Sequence, residues 1–274
     1  MAPRGTVPSV WVLGAARWRQ LSGIAREHAE GALGYPWLMS VGALVLAAGR
    51  GERFGGAVPK AFVPIAGKPM LLHALAAIAA TPAIDFIVPV VARTELPRLE
   101  DLATALAEIR GIRSAVAGGA ERQDSVMAGL AALPAETELV AVHDAARPLV
   151  GPAAVTRVVD AARVSGAAIL AVPARDTIKR VRGGRILGTP LRSECYAAQT
   201  PQVFRVDLLR EALEKAAADG FRGTDDSELV ERIGVPVDWV SGETSNFKVT
   251  DGDDLAAAER WLSARRADAQ EAIA

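Results

Sequence analysis

The chain has 274 residues, half of them hydrophobic and 23% charged, a balance that excludes a disordered or fibrous protein. Lys and Arg number 31 against 32 Asp and Glu, a formal net charge of -1 that argues against nucleic acid held by a broad cationic field. Cys195 is the only cysteine, too few for an internal disulfide or a zinc cluster, and no run of 18 apolar residues is available to span a membrane.

Residues 1–38 read as an N-terminal extension. They carry Trp11, Trp18 and Trp37, with Arg4, Arg17, Arg19 and Arg26 against Glu27 and Glu30. The apolar run Val10 to Ala16 is at the short limit for a signal peptide. The segment is expected to be disordered, weakly targeting, or an extension upstream of a natural start at Met39. The last is favoured, because the first strand begins two residues after Met39. Residues 39–274 are expected to form one domain.

From there, short apolar runs alternate with amphipathic ones. Val41 to Ala48 predicts a buried strand, Pro69 to Ala80 a helix, Phe86 to Ala92 a strand and Pro97 to Ile109 a helix. Strands at Ile112–Ala117, Leu139–Val142 and Ala167–Val172 alternate with helices at Arg122–Leu133 and Pro152–Val164. This rhythm predicts an α/β fold with a Rossmann-like, doubly wound, mostly parallel sheet and ligands at the carboxyl ends of its strands. The rhythm breaks between residues 176 and 202. There Gly183-Gly184 separates two short β-like runs, which predicts an inserted hairpin arm. Helices at Val206–Ala218 and Asp226–Ile233, a strand at Val237–Val240 and a helix at Asp253–Ala267, with Asp253 near its N-cap, complete the reading.

The most informative segment runs from Leu46 to Lys60. It is a strand followed by a glycine loop, with Arg53 and Lys60 as cations beyond the strand. Glycines let backbone N–H groups converge on an anion, and the two cations suit a polyphosphate. No Gly-Lys-Ser/Thr follows, so this is not a Walker loop. Phe54 stands where a dinucleotide fingerprint needs glycine, which argues against an NAD-dependent dehydrogenase. Residues alone lead to a phosphate-binding α/β enzyme.

The motif LAAGRGERF…PKAF resembles the opening signature of nucleotidyltransferases of the nucleotide-diphospho-sugar transferase type. GGAERQDSVMAGL, VHDAARP, ARDTIKR, AAQTPQVF, GTDDSELVE and NFKVTDGDDL follow in the order found in the polyol-phosphate cytidylyltransferases that act on methylerythritol phosphate. The resemblance runs from about Val41 to the terminal helix. It implies CTP and a polyol phosphate as substrates, with Mg²⁺ or another divalent cation held mainly by the triphosphate. Catalysis would then be charge neutralisation between two anions, with no nucleophilic side chain.

Carried onto this chain, the resemblance implies catalytic roles for Arg53, Lys60 and Lys248. It implies nucleotide contacts from Ala47, Ala48, Gly49, Gly118, Gly119, Arg122, Ser125, Asp144 and Ala145. The polyol-phosphate site would use Arg147, Thr177, Arg192, Thr200 and Thr224, with Thr177 and Arg192 reaching a partner subunit through the arm of a homodimer. Asp144 is the one candidate metal contact. His143 reads as structural, because the chemistry needs no base. Ala120 stands where members of the resembled family can carry Asp, so a carboxylate contact is not expected there. A ribitol-5-phosphate cytidylyltransferase and an inactive nucleotide-binding regulator are the alternatives. The expected location is cytoplasmic.

Overall fold

A computed structural model describes residues 39–49 and 58–271. The expectations for residues 1–38 and for Arg53 lie outside the described residues. The chain from Met39 onward forms one compact unit.

β1 (Val41–Ala47) is buried along nearly its whole length, as an apolar run without alternation requires in the middle of a two-faced sheet. After the glycine loop, a one-turn 3₁₀ segment begins at Lys60. A small hairpin of β2 (Pro64–Ile65) and β3 (Lys68–Pro69) then leads into α1 (Met70–Ala79). The sequence reading has no counterpart for that hairpin. Its turn places Ala66 and Gly67 at positive φ, which favours glycine over alanine.

β4 (Phe86–Val91) pairs with β1 in parallel. The helix expected over 97–109 is instead two short pieces, α2 (Leu96–Glu100) and α3 (Ala103–Ala107). The strand expected over 112–117 contracts to β5 (Val116–Ala117) plus a single bridge between Ile87 and Ile112. Pro89 explains the gap. The N–H and C=O of Ile87 bond toward the β5 side, so the nitrogen of Pro89, two residues on, faces the same side and has no hydrogen to donate.

α4 (Arg122–Ala131) starts with a capping box between Glu121 and Asp124, and packs behind β1 and β4. β6 (Leu139–Asp144) pairs in parallel with β1. α5 (Pro152–Ser165) follows and ends at Gly166 in the left-handed region, before β7 (Ala167–Pro173).

The predicted arm is present as β8 (Arg180–Arg182) and β9 (Arg185–Gly188), joined by Gly183 and Gly184 and exposed at nearly every residue. Its expected boundary at 202 is corrected. Tyr196–Arg205 forms β10, which runs antiparallel between β6 and β7 in the middle of the sheet. The register slips between Gln199 and Gln202, around a cis Thr200–Pro201 peptide. A strand with an internal proline needs such a bulge, which is why the segment has no strand-like pattern.

α6 (Val206–Ala218), α7 (Asp226–Arg232), β11 (Asp238–Ser241) and α8 (Gly252–Glu271) complete the chain. At the start of α8 the cap is Asp251, whose carboxylate accepts from the Asp254 N–H, and Asp253 lies near it in the first turn. The seven-stranded sheet has the order β11-β7-β10-β6-β1-β4-β5 and is parallel except at β10. One core joins β1, β4 and β6 to α1 and α5, and the other joins them to α4, α6 and α7, so both faces are covered. A smaller cluster of Ile65, Met70, Leu149, Val249 and Ala258 seats α8. Among the described residues no helix is long and apolar enough to cross a membrane.

Candidate active site

The carboxyl ends of β1, β4, β5 and β6 open into one cavity of about 510 Å³. This is where a doubly wound sheet leaves its ligand crevice. Ala47, Ala48 and Gly49 form the wall beyond β1, and Lys60 lies at the far side of the glycine loop. Gly118, Gly119, Arg122 and Ser125 form the wall between β5 and α4, while Asp144 and Ala145 close the end of β6. Lys248 enters from the segment before α8. Eleven sequence-predicted residues therefore converge on one cavity.

The glycines there answer to close packing. A Cβ on Gly118 would lie 2.6 Å from the Ala48 Cβ and 2.6 Å from the Ser125 Oγ. One on Gly119 would lie 2.3 Å from the Asp124 Cβ. The Ser125 hydroxyl donates to the Glu121 carbonyl at 3.1 Å and accepts from the Gly119 N–H at 3.2 Å. It thus folds the loop against the helix as well as lining the cavity.

Asp144 is the electrostatic centre. Its carboxylate accepts from Lys248 Nζ at 2.7 Å, and the Arg122 guanidinium stands 3.6 Å away. Burial alone would raise its pKa, but the charges of Arg122, Lys248 and Arg147 outweigh burial and hold the carboxyl well below the usual range. Arg122 also reaches Asp226, a fully buried carboxylate on the first residue of α7, at 2.7 Å. Burial works against the Arg122 charge, and Asp226 and Asp144 more than compensate, so the guanidinium stays protonated. Asp226 is pushed up by its own burial, against the pull of Arg122.

Behind this wall, His143 is completely buried. Its Nε2 faces the Arg147 carbonyl at 3.1 Å, an acceptor, so Nε2 carries the proton. Nδ1 then accepts from the Thr200 hydroxyl at 3.1 Å, and that hydroxyl accepts from the Asp144 N–H at 3.0 Å. Burial pushes the imidazole pKa down to about 4, although the Asp144 charge opposes this. With both nitrogens engaged, His143 is a structural residue, as the sequence suggested.

Five predicted residues do not line the cavity. Thr200 is buried behind the wall in the chain just described. Arg147 donates to the carbonyls of Asn246 at 2.7 Å and Ala198 at 3.1 Å, bracing the strand ends. Thr224 donates from its N–H and its hydroxyl to the Glu228 carboxylate, at 2.6 Å and 3.0 Å, beside the start of α7. Thr177 and Arg192 belong to the exposed arm region, where Arg192 donates to the Arg175 carbonyl at 3.4 Å.

Sequence reasoning passed over Arg93 and Thr94, which line the cavity beyond β4. Their signal is only their place at the carboxyl end of a parallel strand. It also passed over Asp226, which sits inside the quoted GTDDSELVE motif. The cavity lining holds the cations Lys60, Arg93, Arg122 and Lys248 against the carboxylates Glu121 and Asp144, an excess that suits a polyanion.

No cluster of three or more His, Cys, Asp or Glu able to cage a metal occurs among the described residues. A single ionised Asp144 in a cavity lined by an excess of cations fits Mg²⁺ only alongside a bound polyphosphate, since Mg²⁺ takes one or two carboxylates and completes its shell with phosphate oxygens and water.

Residues 41–264 match the family model described as 2-C-methyl-D-erythritol 4-phosphate cytidylyltransferase. Proteins of that name from Geotalea uraniireducens and Syntrophus aciditrophicus are 43% and 44% identical to this chain. These alignments cover 82% and 80% of the chain and 97% and 94% of the relatives. The crystal structure of the Thermus thermophilus enzyme of the same name superposes with a TM-score of 0.68 at 35% identity, covering 81% of this chain and 98% of that one. The 4-diphosphocytidyl-2C-methyl-D-erythritol synthase from Anaerococcus prevotii gives 0.73 at 31% identity, covering 82% and 96%.

Proposed function

The chain belongs to the 2-C-methyl-D-erythritol 4-phosphate cytidylyltransferase family, and on that premise we propose how its own residues carry out the reaction. It transfers the cytidylyl group of CTP to 2-C-methyl-D-erythritol 4-phosphate, a step of the non-mevalonate isoprenoid route. A phosphate oxygen of the polyol attacks the α-phosphorus of CTP, the bond to the β-phosphate oxygen breaks, and pyrophosphate leaves. The observation that carries this reading is the convergence of Lys60, Arg122, Asp144 and Lys248 on one cavity beside the Gly118–Gly119 loop.

The nucleophile is already ionised at neutral pH, so no side chain has to remove a proton. The obstacle is repulsion between two anions. Lys60 and Lys248 lower it by placing positive charge where the pentavalent phosphorus forms, in a site partly withdrawn from water. The resemblance to the family gives Arg53 the same charge-neutralising role. The backbone at Ala47, Ala48 and Gly49, the Gly118–Gly119 loop and Ser125 hold the nucleoside, while Arg122 stiffens that wall. Asp144 and Ala145 face the sugar and the phosphates. Asp144 would hold Mg²⁺ together with the triphosphate, and the cation would supply further charge neutralisation and orientation. Lys248 would then shift from Asp144 to a phosphate oxygen.

The polyol phosphate would be met by Thr224 and by Thr177 and Arg192 from a partner's arm, while Arg147 and Thr200 act from behind the wall, Arg147 by bracing the Asn246 and Ala198 carbonyls and Thr200 by bonding His143 and the Asp144 N–H. Support for a homodimer comes from the arm's apolar side chains. Val181 is 59% exposed, Ile186 65% and Leu191 65%, and an isolated two-stranded arm of this kind is marginal alone. A cytoplasmic location follows from a reaction between two small phosphorylated metabolites.

The test is transfer of label. With CTP radiolabelled at the α-phosphorus, methylerythritol phosphate and Mg²⁺, the label moves into the polyol product with equal release of pyrophosphate. Label that stays in CTP, with no pyrophosphate formed, would instead identify a nucleotide-binding protein without catalysis.

A further inference from the structure

Lys248 lies between β11 and α8 in a stretch without regular secondary structure, so its backbone must be fixed by something other than a helix or a sheet. The fixing comes from two buried amides. Gln199 Oε1 accepts from the Glu243 N–H at 3.2 Å and from Asn246 Nδ2 at 3.2 Å. Gln199 Nε2 donates to the Glu243 carbonyl at 2.8 Å. Asn246 is fully buried, and its Nδ2 also donates to the Thr200 carbonyl at 2.9 Å. Beyond the lysine, the Val249 N–H donates to the Ala146 carbonyl at 2.8 Å. Lys248 therefore sits between two anchors, both tied to the sheet end that carries Asp144.

Gly242 supplies a separate observation on the same contact. A Cβ there would lie 2.3 Å from Gln199 Oε1, so the amide and the loop are packed to the limit of glycine. We propose that Gln199 and Asn246 are positioning residues, a clamp that holds the Lys248 backbone so that its ammonium meets the reacting phosphates. The inference rests on the place given to Lys248 in the reaction above. Its physical basis is the steep dependence of catalysis on geometry: a displacement of about 1 Å can reduce turnover by about a hundredfold. The Lys side chain is long and flexible, so a fixed backbone, together with the Asp144 contact, limits where its charge can go.

The experiment combines amide hydrogen exchange across residues 242–249 with steady-state kinetics, on the full chain. Gln199→Leu removes both polar atoms of the central amide, Asn246→Asp removes the Nδ2 donor, and Gly242→Ala crowds Gln199 Oε1. Each is expected to speed exchange in that stretch at least ~10-fold, while β1 and β4 keep their protection. Turnover should fall about tenfold or more with the KM for CTP within about twofold, and the Lys248→Ala background should show no further loss. If Gln199→Leu does not fold, Gln199→Glu serves, since it keeps the acceptor and replaces only the donor to Glu243. Unchanged exchange across 242–249 overturns the inference, and so do losses that add to that of Lys248→Ala. Full turnover by Lys248→Ala alone would overturn the role of the lysine, and with it the catalytic half of the inference. The exchange result would still judge the clamp.

Discussion

Lys248 Nζ donates to Asp144 Oδ2 at 2.7 Å across 104 residues of sequence. The pair joins the end of β6 to the segment before α8, and it keeps a lysine charge at the mouth of the cavity before any phosphate arrives. Asp144 thus holds the lysine, and in the proposed reaction it would also meet the divalent cation. Asp144→Asn is expected to reduce kcat/KM by roughly a hundredfold and to raise the Mg²⁺ concentration for half-maximal rate. A Mg²⁺ titration at fixed CTP checks both. A loss below tenfold with an unchanged titration would remove Asp144 from the cation's surroundings.

Lys60→Ala should lower kcat by at least ~100-fold, the usual scale for one preorganised transition-state contact. Rapid-quench measurement of a single turnover separates this from slower product release. Retention of more than a tenth of the rate would place Lys60 outside the catalytic set.

Asp226 is the buried counter-ion of Arg122, and neutralising it leaves a guanidinium drawn toward Asp144 alone. Asp226→Asn is expected to destabilise the fold by about 3 kcal/mol, the scale for breaking a buried pair, and to raise the KM for CTP more than it lowers kcat. Thermal unfolding and kinetics on the same preparation test it. An unaltered melting temperature together with an unaltered KM would contradict the pairing as the support of that wall.

His143 gives the fold a pH dependence of definite sign. Its folded pKa, near 4, lies below the ordinary value of 6.5, so the unfolded chain binds the proton more readily between these pH values. Stability contributed by the neutral imidazole is complete above about pH 6.5 and declines as pH falls toward 4. At pH 5 the loss is on the order of 2 kcal/mol. Urea unfolding at pH 7.5 and pH 5 should show this slope in the wild type and a flatter one in His143→Gln. Equal slopes would exclude His143 as its source.

The arm's contribution can be read by complementation. Arg192→Ala should raise the KM for the polyol phosphate, and mixing it with Lys60→Ala should restore part of the activity through hybrid dimers with one intact site. Mixtures no more active than their components would mean that the arm serves its own subunit.

What was legible in the sequence was local. β1, β6 and α6 are continuous runs with clean periods, and VHDAARP delivers Asp144 to the end of β6 because a parallel strand ends at the crevice. β10 was hidden because Pro201 sits inside it and half of its length borders the arm. The strand at 112–117 was overextended because Pro89, on the neighbouring strand, removes a donor that β5 needs. The link from Arg122 to Asp226 was hidden because it joins residues remote in sequence, so neither spacing nor hydropathy records it. The clamp on Lys248 was hidden for the same reason: Gln199 and Asn246 read as ordinary polar residues until the fold brings them together.

The most direct test of the central claim is the rate of pyrophosphate release by the purified chain with CTP and Mg²⁺, offered either 2-C-methyl-D-erythritol 4-phosphate or ribitol 5-phosphate. The expected result is turnover with the branched polyol at a kcat/KM well above that with ribitol phosphate, for the full chain and for a version beginning at Met39. Faster turnover with ribitol 5-phosphate, or none with either polyol, would contradict it.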